Sequence, residues 1–282
     1  MSNIEYSEKY KLWKAHGLGN DYLVWEEAIP LDSNMVQKIC HRHRGIGSDG
    51  ILEPCFSEKA DLGVRIWNPD GSIAEKSGNG LRIFAWWAVH RMKLDLEFSV
   101  DTGFDVVRCV VNPDEGWVKV EMGVAKFIHQ QIPCREELWD TKKNIAGHEL
   151  SLWAVSMGNP HCVSFFPKQT ELDSLDWRLW GAELEVSSLF PNRTNVQFAK
   201  VLARNQIEIR IWERGAGETS ASGSSSCAVA AIARRAGWVD SSVTMLMPGG
   251  QLSVEVSDNF EVILQGPVEV IGVMEYWEKL MI

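Results

Sequence analysis

VRIWNPDGSIAEKSGNGLRIFA (residues 64–85) and IRIWERGAGETSASGSSSCAVA (residues 209–230) are two copies of one unit, 145 positions apart with no gap. Arg65-Ile66-Trp67 aligns with Arg210-Ile211-Trp212, Ser77-Gly78 with Ser222-Gly223, and Ala85 with Ala230. Each copy reads as an apolar-alternating strand, a Gly-rich turn, and a Ser-Gly step into an Ala/Ile/Phe-rich helix. A repeat at this spacing predicts a pseudo-symmetric molecule whose two helix starts face one ligand from opposite sides.

Outward from the repeat, the rest of the chain follows the same plan. Lys11 to Trp25 reads as a strand interrupted at Gly17-Leu18-Gly19-Asn20-Asp21, and a second strand pair turns at Met157-Gly158-Asn159-Pro160. Helical spacing covers Asn34–Arg44, Gly78–Met92 and Glu171–Leu184. Alternating short segments follow each repeat copy, and strands outnumber helices without a regular βα order. The expected class is α+β and largely antiparallel. The halves are expected at residues 1–125 and 126–266, with 267–282 returning to the first. The charged stretch Cys134–Asn144 reads as the passage between them.

Length and composition agree. A chain of 282 residues suits two cores, and 45% hydrophobic with 23% charged residues argues against disorder. A net charge of −10 argues against a nucleic-acid partner or an anionic membrane surface. The longest apolar run, Ile83–Val89, is too short to span a bilayer, and the start MSNIEYSEKYKLWKAHG has no signal-peptide core. A soluble cytoplasmic protein is expected. Six cysteines show no C-x-x-C spacing, and Cys40-His41-Arg42-His43 lies on a helical segment where neighbours diverge, so no metal is expected.

A helix N-terminus offers unpaired N–H groups and partial positive charge to a carboxylate. Gly78-Asn79-Gly80 and Gly223-Ser224-Ser225 let a ligand approach the backbone closely, and the serine before each either caps its helix or projects into a cleft. Two groups on opposite faces of one carbon are what inversion by proton removal and return requires.

These residues resemble the diaminopimelate epimerase family of cofactor-independent amino-acid epimerases and racemases. The resemblance spans nearly the whole chain. It rests on His16-Gly17-Leu18-Gly19-Asn20-Asp21-Tyr22, Gly45-Ile46-Gly47-Ser48-Asp49-Gly50, Asn68-Pro69-Asp70-Gly71-Ser72 and Ser77-Gly78-Asn79-Gly80 in the first half. In the second half it rests on Ser156-Met157-Gly158-Asn159-Pro160-His161-Cys162, Asn195-Val196, and Glu213-Arg214-Gly215-Ala216-Gly217-Glu218-Thr219. It implies two pseudo-symmetric domains, each a barrel-like antiparallel sheet around a central helix, with the active cleft between them. It also implies an amino-acid substrate, a place in lysine biosynthesis, no cofactor and a homodimer.

By the same resemblance the substrate's reacting carboxylate sits on the N–H groups of Gly223 and Ser224. Asn20, Asn159 and the Gly78-Asn79 turn line the reacting carbon. Asn68, Asn195 and Arg214 recognise the far end of the substrate, and His161 and Glu213 support the acid/base pair. At the two proton-transferring positions the family pattern has cysteine, whereas this chain has Ser77 and Ser222. A thiol near pKa 8.5 can be brought to thiolate by a helix N-terminus, and a serine hydroxyl is far less acidic. Three accounts stay open: a serine relay to a stronger base among Lys76, Glu213, His161 and Asp49; a carboxylate-based isomerase on the same fold; or an impaired, natural or engineered, amino-acid-binding relative.

Overall fold

The computed structural model describes residues 6–279, so residues 1–5 and 280–282 of the expected first half lie outside the described residues. In chain order the first elements are β1 (Tyr6–Gly17), β2 (Asn20–Trp25), α1 (Ser33–Cys40), β3 (Ile51–Cys55), β4 (Leu62–Trp67), α2 (Gly78–Trp87), β5 (Glu97–Asp101) and β6 (Val106–Asn112). Next come β7 (Trp117–Val124), β8 (Thr141–Ile145), β9 (His148–Ser156), β10 (Pro160–Phe165), α3 (Trp177–Glu185), β11 (Asn195–Ala203) and β12 (Gln206–Glu213). The last are β13 (Gly217–Thr219), α4 (Gly223–Arg235), β14 (Ser242–Met247), β15 (Gly250–Val256), β16 (Glu261–Pro267) and β17 (Glu269–Lys279). They form two compact units, residues 1–118 with 268–282, and residues 119–267.

In the first unit the strands run β17-β1-β2-β3-β4-β5-β6. The β2/β3 and β4/β5 pairs are parallel and the rest antiparallel. In the second the order β9-β10-β11-β12-β14-β15 repeats the same alternation, with β8 on β9 in the place that β17 takes on β1. The register repeats as well. Ile51 faces Trp67 as Val196 faces Trp212, and Leu62 faces Val100 as Ile207 faces Met245. Each of these four residues has its counterpart 145 positions on, so the offset seen in the helix starts holds from β3 through β5 in the first unit and from β11 through β14 in the second.

Each unit wraps its sheet around one helix. Helix α2 packs on β1, β2 and β6, strands from opposite ends of the order, and α4 packs on β9 through β12 and on β14 through β16. A helix enclosed this way must be apolar or small on every side, or pair its polar groups inside, as Arg82 and Asn79 do on α2. Gly78 through Ala85 and Gly223 through Ala233 are accordingly all buried. The fold is α+β, a barrel-like and mostly antiparallel sheet around a central helix in each unit. Helices α1 and α3 lie outside and bury one stripe only, Val36, Ile39 and Cys40 on α1 and Trp177, Trp180 and Leu184 on α3.

Two expectations need correction, and a third, the helix over Gly78–Met92, holds with a change of helix type. Helix α1 stops at Cys40 rather than Arg44 because the chain folds back on it: Gly47 and Ser48 donate to the carbonyls of Ile39 and Cys40, and a Cβ on Gly45 would lie 2.1 Å from the Lys38 carbonyl oxygen. Helix α2 gives way after Trp87 to a π-turn over Ala88–Met92, closed by left-handed Lys93. The charged stretch Cys134–Asn144 is no passage between units, because Cys134 and Leu138 belong to the core of the second. Its charges alternate with those apolar side chains and lie outward, which a count of charge alone reads as a linker.

Among the described residues, no helix is long and apolar enough to cross a membrane.

Candidate active site

Ser77 and Ser222 occupy equivalent places at the starts of α2 and α4. Both have extended backbone, at φ −137°, ψ 115° and φ −146°, ψ 126°, and both side chains accept the N–H three residues on, from Gly80 and Ser225. The caps take the third N–H of each helix. The N–H groups of Gly223 and Ser224 stand ahead of that capped donor in the first turn of α4, as those of Gly78 and Asn79 do in α2. Ser222 is buried and Ser77 half-buried. Ser77 Oγ also lies 3.0 Å from the Tyr22 hydroxyl, while Ser226 Oγ returns to the Ser222 carbonyl at 2.8 Å.

In the first unit a line of amides runs beside the Ser77 cap. Arg82, fully buried on α2, donates to Asn79 Oδ1 at 2.8 Å; Asn79 Nδ2 donates to Asn20 Oδ1 at 3.0 Å; Asn20 Nδ2 donates to Asp49 Oδ2 at 2.8 Å. A guanidinium can only donate and a carboxylate only accept, so the two ends fix the direction of both amides. Asp49 is anchored in turn by the Asp21 N–H and by Arg42, whose guanidinium also holds Asp21 with Lys14 on the other side. Burial alone would raise the Asp21 pKa, but Arg42 and Lys14 hold its carboxyl below the usual range. Gly17 makes room for the line, since a Cβ there would come within 2.6 Å of Arg82 Nη2.

Asn68 sits elsewhere in this unit and closes its own turn, with Nδ2 donating to Ser72 Oγ at 3.0 Å and its N–H to the Ser72 carbonyl. Lys76 reaches Asp105 at 3.2 Å.

In the second unit the turn before β10, with Gly158 at φ +96°, delivers Asn159 beside His161 at 2.9 Å. His161 is wholly buried, and burial lowers its pKa to about 3 against the favourable Gln197 bond, with the charge of Arg214 adding to the depression. The ring is therefore neutral. Gln197 Nε2 donates to Nδ1 at 3.2 Å, which leaves Nε2–H to donate to Asn159 Oδ1. The same Gln197 nitrogen donates to Ser225 Oγ at 3.0 Å and so ties His161 to the first turn of α4.

Asn195 spends both ends of its amide on backbone, donating to the Pro160 carbonyl and accepting the Arg214 N–H. Arg214 also donates to the Asn192 carbonyl at 3.3 Å. Glu213, half-buried, ends β12 opposite Gly217. Buried Glu185 fixes the loop that follows, accepting the Gly215 N–H at 2.6 Å and the Trp212 indole at 2.8 Å.

The sequence reading named the two asparagines after the turns, the caps and His161, and the structure joins these within each unit. It gave no role to Arg82, Gln197 or Glu185, nor to the side chains of Tyr22 and Ser225. Tyr22 and His161 hold equivalent positions, two residues after Asn20 and Asn159 and opposite Ala15 and Val155. That spacing was the available signal for Tyr22.

The family model for diaminopimelate epimerase matches residues 12–128 and 153–271. Diaminopimelate epimerase 2 of Nostoc sp. is 44% identical, over 92% of each chain, and diaminopimelate epimerase of Clostridium perfringens 37% identical, over 88% of this chain and 93% of its own. Among solved structures, a hydroxyproline epimerase from Agrobacterium vitis superposes with a TM-score of 0.73 at 13% identity, covering 99% of this chain and 94% of its own. From its sequence and its twice-built helix starts, the chain belongs to the diaminopimelate epimerase family.

Proposed function

We propose that this protein is a cofactor-independent amino-acid epimerase of the diaminopimelate type, in which Ser77 and Ser222 carry the two protons across the α-carbon. The observation that carries the reading is the duplicated hydroxyl-capped helix start, set in the same strand register in both units. In this reading Gly223 and Ser224 hold the reacting carboxylate at the N-terminus of α4, where N–H groups and helix dipole both favour an anion. Gly78, Asn79, Asn20 and Asn159 line the reacting carbon, with Asn20 and Asn79 locked in direction by Arg82 and Asp49. His161 keeps Asn159 oriented as a neutral donor, and Glu213 supports it from the end of β12. Asn68, Asn195 and Arg214 meet the polar far end of the substrate, and Arg214 suits a second carboxylate through its fork of donors. The protein acts as a cytoplasmic homodimer in lysine biosynthesis.

Hydroxyls make this a slow epimerase. A helix terminus stabilises an anion by up to ~2 kcal/mol, whereas each pKa unit by which serine exceeds a thiol costs about 1.36 kcal/mol. Exchange of the α-proton of diaminopimelate in D2O, followed by proton NMR, tests the reading. Ser77→Ala and Ser222→Ala should each lower exchange by at least about tenfold, and the double change Ser77→Cys with Ser222→Cys should raise it. Failure of diaminopimelate to bind or exchange in either the native or the double-cysteine protein refutes the reading.

A second reading, binding without turnover, draws support from the bases near the caps being engaged already: Lys76 with Asp105, Asp49 with Arg42 and Asn20. It predicts a thermal shift with diaminopimelate and no exchange until cysteine is restored at both positions.

A further inference from the structure

The Tyr22 hydroxyl lies 3.0 Å from Ser77 Oγ, and the tyrosine is held there rather than merely near it. Its side chain is 6% exposed, on the second strand of the β1–β2 hairpin. A Cβ on Gly50 would come within 2.6 Å of its ring, so the absent side chain at 50 is what seats the phenol. Ser77 Oγ meanwhile accepts the Gly80 N–H at 3.0 Å.

Counting valences on that oxygen shows what the pair can do. A hydroxyl has one proton and two lone pairs. One lone pair is taken by Gly80. If Tyr22 is ionised it can only accept, so the Ser77 proton must point at the phenolate, and the second lone pair is left for a proton arriving from elsewhere. A phenol near pKa 10 is far easier to ionise than a serine hydroxyl.

We propose that Tyr22 is a positioning and proton-relay residue that acts through Ser77, supplying the basicity that the hydroxyl lacks. This rests on the epimerase reading of Ser77. In the relay the substrate Cα–H bond breaks, its electron pair stays on the α-carbon, and the proton forms a new O–H bond on Ser77. The former Ser77 proton moves to the Tyr22 phenolate. Return of a proton to the opposite face comes from the Ser222 hydroxyl; water then reprotonates Ser222, and the hydroxide so formed takes the proton from Tyr22, which restores the phenolate and the water. In the reverse direction Ser77 donates to carbon and recovers a proton from Tyr22. No oxidation occurs, and no group beyond substrate and water is consumed.

The test is α-proton exchange in D2O on both α-configurations of diaminopimelate, with the full-length protein across about pH 6 to 10.5. In the native protein, exchange of the configuration that presents its proton to Ser77 should rise about tenfold per pH unit toward the phenol pKa. Tyr22→Phe should lower that rate at least about tenfold and flatten its rise, with substrate affinity changed less than about twofold. With cysteine at positions 77 and 222 a relay is superfluous, so adding Tyr22→Phe should cost less than about threefold.

A Tyr22→Phe protein with native rate and native slope overturns the proposal. So does an equal loss on both configurations, or in the cysteine background, which would mark a structural role. Native protein that exchanges nothing at any pH while the double-cysteine protein does so also overturns it, and leaves the substrate reading standing. Absence of binding and exchange in both proteins sinks that reading instead. Should Tyr22→Phe fail to fold, 3-fluorotyrosine at position 22 keeps the shape and lowers the phenol pKa. The profile must then move to lower pH, and an unmoved profile overturns the relay.

Discussion

His161 and Asn20 show how far a residue's neighbours decide its chemistry. His161 lies wholly inside the second unit, and its pKa, lowered to about 3, keeps it neutral across the physiological range. In the unfolded chain it would take up a proton near pH 6.5, so the unfolded state binds more protons between those values. Stability is therefore full above about pH 6.5 and falls as pH drops, by up to about 1.4 kcal/mol per unit. Urea unfolding at pH 7 and pH 5 should differ by roughly 2 kcal/mol from this group, and His161→Gln should remove that share of the slope; an unchanged slope would mean the ring is already protonated in the folded protein. Asn20 and Asn159 were both legible as turn asparagines from Gly-Asn alone. What each amide does was not, because Asn20 takes its direction from Asp49 and Asn79, far away in sequence, and Asn159 takes its own from His161.

At the scale of elements, the two helix starts were readable because a cap is a local device: a serine, a glycine and a following apolar run. Ser222→Ala should cost about 1 kcal/mol in denaturant unfolding through loss of the cap alone, which separates its structural from its catalytic effect when compared with Ser222→Cys. The β1–β2 hairpin carries a stronger constraint. Gly17→Ala places a methyl within 2.6 Å of buried Arg82 Nη2 and should displace the Arg82–Asn79–Asn20 line, lowering substrate affinity more than stability; calorimetric titration with diaminopimelate beside a melting curve checks this. Trp67 of β4 and Trp212 of β12 were read as equivalent, and both indoles donate to a buried carboxylate. The carboxylates differ in origin, Glu53 from β3 and Glu185 from the end of α3, so the pairing was invisible to the repeat. Glu185→Gln should weaken its hold on both Arg193 and the 215 loop, with proteolytic nicking between Arg214 and Gly217 as the readout.

For the whole molecule, the 145-residue offset extends from the helix starts to strand register, and the final strand closes the first unit by pairing with β1 from Tyr6 to His16. Removing residues 268–282 should expose β1 as an unpaired edge. Hydrogen exchange should then rise along β1 and β2 while β9–β12 keep their protection; uniform loss in both units would contradict the division. The sequence by itself determined the α+β class, the duplicated helix starts, the hairpin asparagines and the family, because periodicity, caps and Gly-Asn turns are properties of adjacent residues. Only the tertiary structure decided that Tyr22 meets Ser77, that Gln197 couples His161 to α4, and that Cys134 and Leu138 belong to the core of the second unit. Those facts depend on which strands lie side by side and on what is removed from water, and both are set by packing between residues that the chain keeps tens of positions apart.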